Sequence, residues 1–77
     1  MKEITKQILE SSLGISHFEF SNSSSRDDIA AWDSLRHMEL ILAIEKELGT
    51  QLSVEKIISL DSVAAVEKLF SDATNAR

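Results

Sequence analysis

The 77-residue sequence contains no cysteine and no proline, and its only glycines are Gly14 and Gly49. The lack of cysteine excludes disulfides, thiolate zinc sites and cysteine nucleophiles together. A domain that does without disulfides suits a reducing compartment, so we expect a cytoplasmic protein. No apolar stretch approaches the length of a membrane span, and we therefore expect no stable membrane insertion.

The chain is also too short and too acidic for several classes of function. Its 77 residues predict one domain over 1–77, with a core too small to enclose a catalytic cleft. The net charge is −5. Residues 14–33 contribute −3 of it, because they contain four acidic residues and one basic residue, Arg26. An acidic surface repels phosphate backbones, so we expect the protein to bind basic patches on other proteins and no nucleic acid. We also expect a monomer.

The hydrophobic pattern has the period of α-helices and shows no strand alternation. Each of the two glycines follows an apolar helical segment, which is the usual place of a helix C-cap glycine. Helices are predicted over Lys2–Leu13, Ser34–Leu48, Val54–Ser59 and from Asp61 or Ser62 to Phe70. Asp33 and Ser53 are the expected N-caps of the second and third helices. The polar tail, 71–77, is expected to fray. The fold class is all-α: a four-helix bundle with three longer helices and one short one.

A long loop, residues 14–33, separates the first two helices. Its serine-rich tract, 21–25, cannot pack into a core and competes with backbone hydrogen bonding. Loops of this length in small domains are often functional. Four apolar residues are expected to anchor the loop to the bundle: Phe18, Phe20, Ile29 and Trp32.

The second helix carries more apolar residues than one core-facing stripe needs. Leu40, Ile44 and Leu48 share one side of the helix, whereas Leu35 and Leu42 lie on another, with Met38 leading toward them. This second stripe is either covered by the long loop or exposed for docking. Ser34 lies in the first turn, where free N–H groups favour an anion, although serine at a helix start is usually a cap or filler.

The segment Trp32-Asp33-Ser34-Leu35-Arg36-His37-Met38-Glu39-Leu40 resembles the attachment motif of acyl carrier proteins. In that family, Asp-Ser-Leu begins the second helix and a Glu-Leu pair follows a few residues later. The similarity continues through residues 41–48 and 60–65, and the order of helices and long loop is also that of the family. The resemblance implies a stand-alone carrier that is not an enzyme and has no catalytic residues of its own.

The resemblance assigns roles to individual residues. Ser34 matches the serine that receives 4′-phosphopantetheine from coenzyme A, and Asp33 matches the aspartate that helps the phosphopantetheinyl transferase engage it. Positions matching the partner-binding surface are Leu35, Arg36, Met38, Glu39, Leu42 and Glu45. Those expected to line a cargo pocket are His37, Leu40, Ile44, Ile57, Leu60 and Val63. The expected partners are the transferase and the enzymes that load, elongate or transfer an acyl group.

Several features separate this sequence from fatty-acid carriers and leave other functions open. Arg36 and Lys46 interrupt the usual acidic row, and Trp32 precedes the Asp-Ser pair, as in stand-alone carriers of dedicated lipid, polyketide or related pathways. The alternatives are an aminoacyl or peptidyl carrier and an unmodified helical interaction module. A hydrolase with His37 as the base for Ser34 lacks an orienting acid. No metal site is expected from two distant histidines.

Overall fold

The computed structural model describes the backbone of residues 1–75 and the side chains of residues 1–72. Within these residues the chain forms helices and no strands, in agreement with the all-α bundle that the sequence predicts. The four helices are α1 (Glu3–Leu13), α2 (Ser34–Leu48), α3 (Val54–Ser59) and α4 (Val63–Asn75). Three of them are long and α3 is a short helix of six residues.

The ends of the helices follow from local chemistry. The side chains of Asp33 and Ser53 accept hydrogen bonds from the N–H groups three residues later, at 2.8 and 3.1 Å, which confirms both predicted N-caps. Ser62 caps α4 in the same way. Gly14 and Gly49 end α1 and α2 with φ of +66° and +70°, in the left-handed region that glycine adopts without strain.

One hydrophobic core lies between the helices, and the long loop closes over it. α1 packs chiefly against α2. The buried apolar side chains are Ile8, Leu9, Leu13, Phe20, Ile29, Trp32, Leu40, Ile41, Ile44, Leu60, Val63, Val66 and Phe70. Three of the four predicted loop anchors are therefore confirmed. The prediction for Phe18 is wrong, because its side chain is 87% exposed.

The exposure of Phe18 has a local cause. Residues His17–Glu19 form a 3₁₀ turn, which Ser16 caps through the N–H of Phe18 while the Glu19 carboxylate accepts the N–H of Ser16. The chain then extends at Phe20, which enters the core. The capped turn thus directs the two phenylalanines to opposite environments.

The rest of the loop is ordered by its own polar groups and by the start of α4. The serine tract bonds to itself, as in the 3.0 Å contact from the N–H of Ser21 to Ser24 Oγ. A second 3₁₀ turn spans Arg26–Asp28, after Ser25. The N–H of Arg26 donates to Asp61 O at 2.8 Å and the N–H of Val63 donates to Ser24 O at 3.0 Å. The loop is therefore fixed to the segment before α4.

The fourth helix runs further than the sequence suggests. The predicted fraying is wrong for residues 71–75, which continue α4 to Asn75. This stretch contains neither glycine nor proline, and Lys68 forms an i,i+4 ion pair with Asp72 at 3.2 Å that supports a helix here. The remainder of the predicted tail, Ala76 and Arg77, lies outside the described residues.

Candidate functional site

Ser34 is the first residue of α2 and its side chain is exposed. Its hydroxyl forms no hydrogen bond within the part of the chain that the structure describes. The capping role belongs instead to Asp33, whose Oδ1 accepts the N–H of Arg36 at 2.8 Å. Ser34 is therefore free of a capping role, and its oxygen can be reached from solvent.

The first turn of α2 also offers donors for a negative charge. The N–H of Arg36 bonds to the Asp33 side chain and that of His37 to Asp33 O at 2.8 Å. The N–H groups of Ser34 and Leu35 belong to the first turn, where no intrahelical acceptor exists. These two donors and the positive end of the helix dipole suit a phosphodiester on the Ser34 oxygen. The residues present thus fit a phosphate-linked group at this position.

A buried hydrogen-bonded bridge supports the segment before Ser34. Trp32 Nε1 donates to His37 Nδ1 at 2.9 Å, and His37 Nε2 lies 2.9 Å from Ile57 O. Because an indole nitrogen can only donate, Nδ1 must accept and Nε2 must carry the proton, which it donates to the carbonyl. One side chain of α2 therefore connects the loop before Ser34 to α3.

Arg26 holds the same segment from the loop side. Its Nε donates to Trp32 O at 3.1 Å, while its backbone N–H bonds to Asp61 O. Its neighbour Asp28 accepts the N–H and the hydroxyl of Ser25, and these bonds hold the pKa of the Asp28 carboxyl below its ordinary value of 3.8. The loop thus reaches Trp32 and Asp33 through a fixed turn.

The outer surface of α2 and α3 carries several exposed apolar side chains. Leu35, Met38 and Leu42 are all exposed, and the loop does not cover the second stripe of α2. Val54 and Ile58 on α3 are exposed as well, at 68% and 71%. These two residues were not predicted as part of an exposed surface, although their i,i+4 spacing places them on one face of a short helix.

The charged residues predicted for partner binding differ in their surroundings. Glu39 is exposed on α2. Arg36 is half-buried and its Nη1 donates to Leu13 O at 2.6 Å. Glu45 is half-buried too, and its Oε2 accepts the N–H of Leu52 at 2.8 Å. Two of the three are thus engaged within the domain, and their part in partner binding stays a prediction.

The residues predicted to line a cargo pocket are packed together in the core. Leu40, Ile44, Leu60 and Val63 are at most 1% exposed. His37 is buried and Ile57, on α3, is half-buried. These residues belong to the packed core, and the cargo pocket stays a prediction. A cleft of about 370 Å³ lies elsewhere, on the α1 side of α2, lined by Ile4, Gln7, Ile8, Ser11, Ala43, Lys46 and Glu47.

The described residues bear on two other kinds of site. They contain no group of three or more His, Asp or Glu side chains placed to hold a metal ion. None of the helices in this part of the chain is both long enough and apolar enough to cross a membrane.

An exposed serine at the start of an apolar-faced helix, in a small bundle with a long ordered loop, is the arrangement expected of a carrier-type domain. Comparison with protein families identifies the family. The family model described as "Phosphopantetheine attachment site" matches residues 3–70, which is most of the 77-residue chain. The chain therefore belongs to the phosphopantetheine-binding family. Domains of this family are the attachment sites of a covalent 4′-phosphopantetheine group. They are carriers without catalysis of their own, and they interact with modifying and biosynthetic enzymes.

Proposed function

We propose that this protein carries an acyl intermediate on a 4′-phosphopantetheine arm attached to Ser34, and that it is not itself an enzyme. The observation that carries this proposal is the exposed Ser34 hydroxyl at the first position of α2, next to Asp33. The bound arm would supply a thiol that holds a carboxylic acid as a thioester. The chain itself supplies the anchor, the donors for the phosphate and a surface for enzymes.

The apolar outer surface beside Ser34 supports docking of those enzymes. Leu35 and Leu42 are 68% and 62% exposed, and neighbouring Glu39 adds negative charge. An apolar centre with a charged rim is the usual composition of an interaction site. We propose that the phosphopantetheinyl transferase and the acyl-loading or acyl-transferring enzymes bind here. Each enzyme would contribute an apolar patch of its own that is bordered by basic residues.

An intact-mass measurement tests the modification. The apo protein is incubated with coenzyme A and a promiscuous phosphopantetheinyl transferase. We expect the mass of wild type to rise by one phosphopantetheinyl group and the mass of Ser34→Ala to stay unchanged. Ser53→Ala is the matched control, because Ser53 is also an exposed serine at a helix start. An unchanged mass for wild type would favour an unmodified interaction module.

Two further measurements address docking and cargo. Leu42→Ser should lower kcat/KM of the transfer without unfolding the protein, because the side chain is largely exposed. Loading of the modified protein by acyl-activating enzymes supports an acyl carrier. Loading by amino-acid-activating enzymes alone would favour the aminoacyl or peptidyl alternative.

A further inference from the structure

Arg36 joins the first turn of α2 to the end of α1 through both of its ends. Its backbone N–H donates to Asp33 Oδ1 at 2.8 Å, and its guanidinium Nη1 donates to Leu13 O at 2.6 Å. Leu13 is the last residue of α1, where carbonyl groups lack intrahelical partners and a positive charge is favoured. The half-buried side chain of Arg36 is therefore engaged with α1 inside the domain.

Gly14 makes room for this contact. A Cβ built at Gly14 would lie 2.8 Å from Arg36 Nη1, closer than real Cβ contacts permit. The φ of +66° favours a glycine here, and a Cβ would in addition displace the guanidinium, which is the end of a flexible side chain. Gly49 has nearly the same conformation, with φ of +70°, but no atom lies within 4 Å of its Cβ position. The two C-cap glycines thus differ in one respect, the presence of Arg36.

We propose that Arg36 is a positioning residue for modification of Ser34, an inference that rests on the proposed function. Ser34 lies two residues before Arg36, in a turn whose N-terminal side has few intrahelical bonds. The Arg36–Leu13 contact holds this turn against α1 and keeps the serine in one orientation. Without the contact, the fraction of molecules with a correctly ordered turn falls. The apparent KM of the transferase rises by the inverse of that fraction, while kcat is retained.

A double-mutant cycle separates positioning from direct docking. Arg36→Met removes the donor and keeps much of the chain length, whereas Gly14→Ala keeps the guanidinium but displaces it from Leu13 O. Gly49→Ala is the control for the strain of a Cβ at positive φ. All variants are assayed with coenzyme A and the transferase under conditions where each is folded, as checked by circular dichroism.

We expect Arg36→Met to lower kcat/KM roughly three- to tenfold, through KM. Gly14→Ala should lower it more than Gly49→Ala does, and the double variant Gly14→Ala/Arg36→Met should lose less than the product of the two single losses. The salt dependence of kcat/KM should be no weaker in Arg36→Met than in wild type, because no charge–charge contact with the enzyme is removed.

Three results would overturn the inference. The first is wild-type kcat/KM in Arg36→Met. The second is a Gly14→Ala variant no slower than Gly49→Ala, with multiplicative losses in the double variant. The third is a weakened salt dependence in Arg36→Met, which would place Arg36 in direct contact with the enzyme. Failure of the proposed function looks different, because wild type itself would then remain unmodified.

Discussion

The indole N–H of Trp32 donates to His37 Nδ1 at 2.9 Å, inside the core and directly behind the turn that carries Ser34. The opposite ring nitrogen of His37 reaches the carbonyl of Ile57 in α3. The loop, α2 and α3 are therefore connected through one imidazole. This places the order of the α2 start and the position of α3 under the control of the same side chain.

Removal of this imidazole should destabilise the fold. His37→Ala leaves the buried Trp32 N–H and the part-buried Ile57 carbonyl without their partner, which should lower the free energy of unfolding by about 2 to 4 kcal/mol. Urea denaturation followed by circular dichroism measures this loss. His17→Ala is the control, because His17 is only half-buried and its Nδ1 hydrogen-bonds to the Glu10 carboxylate, and it should cost less than about 1 kcal/mol. Equal losses in the two variants would contradict the structural role of the bridge.

The phenylalanines of the loop offer a second test. Phe20 is buried and Phe20→Ala should cost about 3 kcal/mol of unfolding free energy. Phe18→Ala should change it by less than about 0.5 kcal/mol, because 87% of that side chain already faces solvent. Thermal denaturation of the two variants side by side gives the comparison. A larger loss for Phe18→Ala would restore the anchor role that the sequence predicted.

Features set by neighbouring residues could be predicted from the sequence. Asp33 caps α2, and Gly14 and Gly49 end helices, because each acts within a few residues of its own position. The second apolar stripe of α2 was also visible, since helix geometry alone separates Leu35 and Leu42 from the core-facing residues. The motif around Ser34 then pointed to the family that the comparison shows.

Features that depend on contacts distant in sequence could not be predicted. Arg36 and Leu13 are 23 residues apart, and His37 and Ile57 are 20 apart, so no local pattern reveals either contact. Phe18 and Phe20 are the same residue type in the same loop segment, so the sequence does not distinguish them. Only the capped 3₁₀ turn between Ser16 and Phe20 decides which one enters the core.

The tether between Glu45 and α3 can be tested by hydrogen exchange. α3 contains no fully buried residue, so it depends on polar tethers such as the bond from Leu52 N–H to Glu45 Oε2, just before the helix. Glu45→Ala should speed exchange of the Leu52 amide and of α3. Glu47→Ala is the control: Glu47 is exposed and lies on α2, as Glu45 does, and its removal should leave the exchange of α3 unchanged. Similar exchange rates in wild type and Glu45→Ala would argue against the tether.

The stability of the fold should fall in acid through loss of the contact between Glu10 of α1 and His17 at the start of the long loop. The carboxylate of Glu10 accepts from His17 Nδ1 and from the His17 backbone N–H, and these bonds hold the pKa of Glu10 below its ordinary value of 4.5. A carboxyl whose pKa is lower in the folded state stabilises the fold above pH 4.5, and this contribution disappears as the pH falls through the folded-state pKa.

The variant Glu10→Gln isolates this contribution. Its melting temperature should lie below that of wild type at pH 7, and the difference should shrink as the pH falls below 4.5. Thermal melts at several pH values measure the effect. A difference that stays constant down to strongly acidic pH would contradict the assignment to the Glu10–His17 contact.

Tandem mass spectrometry of the modified wild-type protein is the decisive test of attachment at Ser34. After transfer from coenzyme A and proteolysis, the fragment ions locate the added group on one residue. The account predicts a single phosphopantetheinyl group on Ser34, at the exposed start of α2. A group found on any other serine, or a wild-type protein that the transferase leaves unmodified, would contradict it.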